Sequence, residues 1–412
     1  MSNTIETRID SDRIRDFDVY RPEGFQDNYH DAWKRLQDDG WPAVFWTPRN
    51  GGHWVVTSGP LIAESYADHE HFSNHVMLVP KLSAEGERCP RHIVPSYVDP
   101  PEHGPYRKLL NQGFSPRRIL AMRSDIEQLA DQLIDSFIIE GQCDFRRDYA
   151  QKLPVQVFMQ LVDLPMADAP MLSEWVDHVV DIDSSLSEEE AKALMQEVHG
   201  NIHDYMEPFI EARIGGSGTD MLSTIVNGEI NGRPLTRDEM RDMCTQVMFG
   251  GLDTVVNFLG LVMLHLARAP ELRIDLIDGS HANRARTIDE FLRRYPVVTV
   301  GREIKRSIVM DGIELQPGEM VMLPTALAGL DSQFNPDPQS FDPARKSLQH
   351  VTFGNGPHRC PGAGLARLEI EITINRWLAR IPDFGVARDQ EIRFRGGVVG
   401  GVDSLPLEWR TA

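Results

Sequence analysis

The chain has 412 residues, 41% of them hydrophobic, enough to bury a large core as one big domain or two ordinary ones. A formal net charge of −20 argues against nucleic acid as a partner. Four cysteines, at positions 89, 143, 244 and 360, form no C-x-x-C pair, which argues against a zinc site or a disulfide framework.

Residues before Tyr20 are crowded with charges (Glu6, Arg8, Asp10, Asp12, Arg13), which no secretory signal tolerates, and residues 1–19 are expected to form a loosely ordered N-terminal segment. Purely apolar runs such as Leu261-Val262-Met263-Leu264 fall far short of the ~20 residues of a membrane span, so the expectation is a cytoplasmic protein with no membrane tether. An early hairpin is signalled by Ala43–Thr47, the turn residues Pro48-Arg49-Asn50-Gly51-Gly52, and His53–Thr57. Helical periodicity then dominates from about Arg107 to Ala269. No repeat, low-complexity tract or long linker divides the chain, so residues 1–412 are read as a single domain, mainly α with small β-sheets.

The longest predicted helix opens on the capping box Thr236-Arg237-Asp238-Glu239 and runs to Ala269, where Pro270 follows. At ~1.5 Å per residue it spans roughly 50 Å, enough to cross the molecule. Gly250-Gly251 sits at its middle, at a cost of about 1 kcal/mol per glycine relative to alanine. Either a planar group or ligand approaches the backbone there, or a neighbouring helix packs tightly. Asp253 and Thr254 follow at once, a poor choice for pure packing because threonine hydroxyls back-bond to carbonyls and bend helices. They make sense where a proton must reach a buried oxygen.

Further on, Glu290 and Arg293 stand three apart on one helix face and can pair, although Thr287-Ile288-Asp289-Glu290 also reads as a capping box. A second hairpin runs through Ser307–Met310, the Asp311-Gly312 turn and Ile313–Leu315, and Gln316-Pro317-Gly318-Glu319 then turns into Met320–Leu323.

The most informative stretch is Phe353-Gly354-Asn355-Gly356-Pro357-His358-Arg359-Cys360-Pro361-Gly362. An apolar-periodic helix follows, with Pro361 suited to its first turn, so Cys360 sits at a helix N-terminus, where partial positive charge favours a metal-ligating thiolate. Gly354, Gly356 and Gly362 remove side chains where a flat, bulky group must lie against the backbone, and a porphyrin meets that description. Cys89, Cys143 and Cys244 have no such context and read as inert thiols. Two windows near this loop in sequence or in kind are basic and free of acids: Arg345, Lys346, Arg359 and Arg367 in residues 344–368, and Arg107, Lys108, Arg117, Arg118 and Arg123 in residues 103–124. Together they would form one basic face, if the fold joins them.

On these residues the chain resembles the cytochrome P-450 family. The cysteine loop matches the haem-binding form F-G-x-G-x-H-x-C-x-G, Gly250-Gly251-Leu252-Asp253-Thr254 matches the oxygen-activation motif G-G-x-D-T, and Glu290-Phe291-Leu292-Arg293 matches E-x-x-R. The resemblance runs roughly from Tyr20 to Trp409 and is nearest the bacterial camphor-hydroxylating branch, through Gly250–Phe258, Leu323-Pro324, Ala328–Asp331 and Leu405–Trp409. It implies the P-450 fold, with haem b (iron protoporphyrin IX) held between the long central helix and the cysteine-loop helix. It implies Cys360 as the iron ligand and Phe353 beside the haem. Thr254 would hydrogen-bond dioxygen or a delivery water, and Asp253 would gate protons from solvent. Glu290, Arg293 and Arg345, the last in the meander Phe341–Arg345, would form a structural ion network. Through the D-P-P segment at Asp99-Pro100-Pro101, it implies His103 and Arg107 as propionate partners, with Arg302 and His358.

The resemblance further implies electrons from a [2Fe–2S] ferredoxin and a separate NADH-dependent flavoprotein reductase, since the chain holds no such domain, with the basic face as the docking site. Substrate contacts would come from Gln246, Gly250, Val297, Val298, Val398 and Val399. The tyrosine that holds camphor's ketone in the camphor enzyme aligns near Arg91, and Tyr97 would need a register shift to replace it. The expected reaction is therefore insertion of one oxygen atom of O2 into a C–H bond of a small apolar terpenoid or norisoprenoid ketone, ionone-like, with camphor as the alternative. A non-catalytic haem sensor has no use for Asp253 and Thr254, and a peroxygenase has none for a basic docking face. Lastly, Pro361 cannot give the thiolate an N–H, so more electron density stays on sulfur and the iron potential falls.

Overall fold

The computed structural model of the chain describes residues 8–82, 93–181 and 186–411. Asn50, Gly51 and Gly52 all take positive φ, which closes the early hairpin: β1 (Val44–Thr47) pairs antiparallel with β2 (His53–Val56), Val44 opposite Val56. With β3 (Phe72–Ser73), β4 (Thr299–Ile304) and β5 (Met320–Pro324) they make a five-stranded sheet in the order β1-β2-β5-β4-β3. The second hairpin, Ile308–Met310 with Ile313–Leu315, turns on Asp311 and Gly312, both at positive φ. Its expected continuation leaves it: β5 is buried along its whole length, and it runs between β2 and β4 in the main sheet instead.

Residues 1–7 lie outside the described residues; of the rest of that segment, residues 8–12 are mostly exposed, and the part from Ile14 to Val19 packs against β1. Phe17 and Val19 are buried, and the Arg15 backbone N–H donates to Trp46 O at 2.9 Å. Apolar residues set among the charges anchor it.

Five helices position the site. α1 (His103–Gly113) begins one turn earlier than its periodicity predicts. α2 (Arg237–Gly251) opens on the predicted capping box, with Thr236 N–H donating to Glu239 Oε2 at 2.7 Å and Glu239 N–H donating to Thr236 Oγ1 at 3.3 Å. The single long helix expected from there is two: the backbone breaks at Leu252-Asp253 and resumes as α3 (Thr254–Arg268). At the break the Thr254 hydroxyl, not a backbone N–H, reaches Gly250 O at 3.3 Å. The stretch Arg237–Arg268 is long and apolar enough in composition to cross a membrane, but 72% of its apolar window is buried inside the protein. α3 packs against the strand Gly401–Ser404 and against α5 (Ala363–Arg380), the helix after the cysteine loop. α4 (His281–Arg294) starts at the Ser280 cap, so Thr287 lies inside it and back-bonds to Asn283 O at 2.9 Å. The capping-box reading of Glu290 therefore falls.

Candidate active site

The cysteine loop is held by its own backbone, with Cys360 N–H donating to Phe353 O and Gly354 N–H to Val351 O, both at 2.7 Å. Gly354 and Gly356 take φ of 72° and 66°, so a turn conformation demands glycine at each. A Cβ on Gly356 would come within 2.9 Å of Ala67 Cα, which places that glycine against protein and corrects the expectation that it clears space for a flat group. Pro361 and Gly362 form a turn before α5, not its first helical residues. The Cys360 sulfur accepts N–H groups from Gly362 and Ala363. Burial nonetheless pushes the thiol up, against those donors and the charges of Arg107 and Arg359. The helix terminus alone does not yield a thiolate, and a coordinating metal, which deprotonates a thiol outright, has to complete it.

Above Cys360 lies a cavity of about 320 Å³ reaching up to the break between α2 and α3. Residues singled out in the sequence line it on every side: His103, Arg107, Gln246, Gly250, Gly251, Thr254, Val297, Val298, Arg302, Phe353, Gly354, His358, Cys360, Pro361 and Gly362. The two glycines divide the explanations offered for them. A Cβ on Gly250 would meet nothing within 4 Å, whereas one on Gly251 would strike Phe158 at 2.4 Å. Gly250 faces open space, while Gly251, also at the cavity, makes room for the Phe158 ring that lines it. Val398 and Val399 do not line the cavity, and this corrects their expected place: Val399 bridges to Val298 and Val398 O accepts Thr299 N–H at 2.8 Å, one layer behind. Arg91 and Cys89 lie outside the described residues, and Tyr97 is buried but not in the lining.

One wall is cationic. Arg302 is buried, stacks over Tyr66 at 4.8 Å and donates to Gly301 O at 2.7 Å. The rings of His103 and His358 stand 4.1 Å apart, and His358 Nε2 is buried without a partner. Burial, then the Arg107 charge, pushes His103 down to about 4. Burial, then His103, Arg302 and Arg107, pushes His358 down to about 2. Asp99, the nearby acid, is taken up by Ser73 Oγ at 2.7 Å and Asn74 N–H at 2.8 Å. This wall therefore calls for anions from outside the chain.

Asp253 turns the other way. It lines a separate cavity of about 480 Å³ with Arg146, Arg147, Lys152 and Asp177. Its Oδ1 accepts from Asn257 Nδ2 at 2.8 Å and lies 3.7 Å from Arg395, while Oδ2 is buried without a partner. Burial raises its carboxyl above the usual range against the opposing pull of Arg395 and Arg146. Neighbours in sequence, Asp253 and Thr254 thus face different cavities across the helix break. Asn257 stands one turn along the same helix, but Arg395 and Arg146 arrive from distant segments and had no local signal.

The Glu290–Arg293 pair is wholly buried. All five guanidinium donors of Arg293 find acceptors: both Glu290 oxygens at 2.7 Å, and the carbonyls of Gly329, Pro338 and Ser340 at 2.8, 2.7 and 3.0 Å. Asp342 N–H and Arg345 approach Glu290 Oε1 at 2.9 and 3.5 Å, tying the meander to α4.

The sequence profile of the family described as Cytochrome P450 matches residues 285–381. The probable cytochrome P450 127A1 of Sinorhizobium fredii is 31% identical over 417 residues, 99% of this chain and 97% of that protein. The chain belongs to the cytochrome P450 family. The steroid C26-monooxygenase of Mycolicibacterium smegmatis is 32% identical over 75% of this P450 and 78% of its own length. The crystal structure of CYP101J2 is 40% identical, with a TM-score of 0.87 over 98% of this chain and 99% of that one. This P450 is accordingly a haem-dependent monooxygenase with the P450 fold. The site's residues fit the cofactor: Cys360 would supply a sulfur ligand to iron, and the His358 imidazole, unpartnered among the described residues, and the buried Arg302 guanidinium would serve its propionates.

The helix Pro116–Ala121 packs against α5, bringing the two basic windows of the P450 together. Some of their charges are spent on ion pairs: Arg123 with Glu371 at 3.2 Å, Arg367 with Asp289, and Arg345 with Glu290. Lys108, Arg117, Lys346 and Arg359 are exposed, and Leu120, on the same helix as Arg117, is 62% exposed.

Proposed function

We propose that this P450 hydroxylates a compact terpenoid or norisoprenoid ketone of ionone type, using electrons from a [2Fe–2S] ferredoxin. The observation that carries the substrate class is Gln246. It lines the cavity with Phe158, Val247, Val255, Val297 and Val298, and its amide oxygen is buried without a partner among the described residues, so the amide can turn by half a revolution and present its Nε2–H, the donor that one carbonyl in an apolar pocket needs. The substrate screen is by ferric spin-state shift: ionones give a strong response and camphor a weak one. The reverse ranking would make camphor the substrate.

Cys360 would hold the iron, and Arg302, His358, His103 and Arg107 the propionates. When bound, the haem supplies activation of dioxygen at a thiolate-ligated iron. The chain supplies protons. Asp253 exchanges them with the water of its own cavity and passes them across the helix break. Thr254, whose hydroxyl sits at the cavity ceiling on Gly250 O, delivers them. Thr254→Ala is expected to keep haem binding and to divert most reducing equivalents to hydrogen peroxide, read as peroxide formed per NADH consumed. Full coupling would remove Thr254 from the pathway. Arg395 holds Asp253 in place from the C-terminal hairpin.

Gly362 and Ala363 donate to sulfur, and Pro361→Leu is expected to add an N–H beside them and to raise the haem reduction potential in redox titration. The exposed cations of the two basic windows suit an acidic electron carrier, whose association would weaken as salt rises. Turnover with ferredoxin, reductase and NADH, against peroxide alone, tests that partner.

A further inference from the structure

Two cavities of opposite character lie back to back at the helix break, and the elements between them show one face to each. On the helix Leu153–Val162, Pro154, Phe158 and Leu161 line the active-site cavity at helical spacing, while Val155 and Gln156 line the cavity of Asp253. On α3, Thr254, Val255 and Phe258 face the first cavity and Val256 faces the second. The partition is thus one helix thick. Beyond it stand Arg146, Arg147, Lys152 and Asp177, charges that hold water, whereas the active-site side is largely apolar here.

An unbroken helix would close such a partition with its own hydrogen bonds, but the backbone breaks at Leu252-Asp253, and the start of a helix leaves N–H groups without acceptors inside it. Water inserts at points of this kind. Phe158 covers the point. It is 3% exposed, and a Cβ on Gly251 would stand 2.4, 3.0 and 3.1 Å from three atoms of its ring, so the ring rests directly on the Gly251 backbone beside the break. Any side chain at position 251 would push the ring away, which makes the glycine and the phenylalanine a matched pair.

We propose that Phe158 is the water stop between the two cavities, keeping solvent on the Asp253 side out of the active-site cavity while Asp253 and Thr254 carry protons past it. A proton crosses by exchange between carboxyl and hydroxyl, with no oxygen atom moving, whereas a water molecule needs open volume, and the ring fills that volume. Solvent admitted there would open side reactions, with reducing equivalents lost to peroxide, so Phe158 sets the coupling of the enzyme without touching the proton path. The inference rests on the reading of Asp253 as the proton source and adds what separates protons from water at that point.

The test uses the haem-loaded protein, Phe158→Ala, the milder Phe158→Leu, and Met159→Ala, a control that removes a wholly buried side chain from the same helix at a position lining neither cavity. Hydrogen–deuterium exchange of residues 252–257 is expected to quicken by about tenfold in Phe158→Ala, by less in Phe158→Leu, and not in Met159→Ala. With ionone or camphor bound, whichever shifts the spin state of the wild type more, the high-spin fraction of Phe158→Ala is expected to fall to about half the wild-type value, with more peroxide formed per NADH. If Phe158→Ala does not load haem, Phe158→Leu carries the same comparison. Unchanged exchange, an equal rise in Met159→Ala, or a wild-type high-spin fraction would each overturn the proposal. Should neither ketone shift the spin state, the substrate reading fails and the exchange result decides Phe158. Unimpaired turnover of Asp253→Asn would remove Asp253 as the proton source, and the exchange result would again decide Phe158.

Discussion

Cys360→Ser is expected to abolish both the strongly red-shifted Soret band of the reduced, carbon-monoxide-bound protein and all hydroxylation. The effect should be total because Cys360 supplies the thiolate, and a serine oxygen neither forms a comparable anion at neutral pH nor donates electron density to iron as sulfur does. The fold should survive. The N–H groups of Gly362 and Ala363 would bond to Oγ as they do to Sγ, and the loop's own bonds, Cys360 N–H to Phe353 O and Gly354 N–H to Val351 O, use no side chain. A normal melting curve with an altered spectrum is thus the expected signature, and a retained red shift would remove Cys360 as the ligand.

Arg293→Lys should do the opposite, destroying the holo-protein without touching the cavity. Lysine brings three donors on one centre to a site that presents two carboxylate oxygens and three carbonyls in one plane. Two or more acceptors are left buried and unpaired, and breaking a buried pair costs about 3–5 kcal/mol, against a total stability of roughly 5–15 kcal/mol. The meander loses its anchor on Glu290 at the same time, and it leads directly into the cysteine loop. The expected yield of haem-loaded protein, measured by the carbon-monoxide spectrum, is near zero. Recovery at wild-type level and wild-type melting temperature would show the network to be dispensable.

Much of this site is legible in the chain because its chemistry is local. The cysteine loop, the Gly250–Thr254 segment and the Glu290/Arg293 spacing each fit in ten residues or fewer, and the structure brings the first two to opposite sides of one cavity. What is not legible comes from long-range packing. Arg395 and Arg146 meet Asp253 only after the C-terminal hairpin docks, and Val398 and Val399 are displaced from the cavity by Val297 and Val298 through a backbone bridge that hydrophobicity cannot signal. The break at Leu252-Asp253 was half legible: the glycines marked the weak point, but whether a threonine hydroxyl would replace the backbone bond depends on the helix partners.

The placement of Asp253 midway along Arg237–Arg268 has a consequence during synthesis. This apolar stretch leaves the ribosome before the strand Gly401–Ser404 and helix α5 exist to cover it, and at that moment the insertion machinery could take it for a span. An aspartate at the centre of such a segment adds about 2.5–3.5 kcal/mol to insertion, and the neighbouring glycines and Asn257 supply no compensating hydrophobicity. The carboxyl proposed above to relay protons would thereby also disfavour passage of the nascent chain into a lipid bilayer.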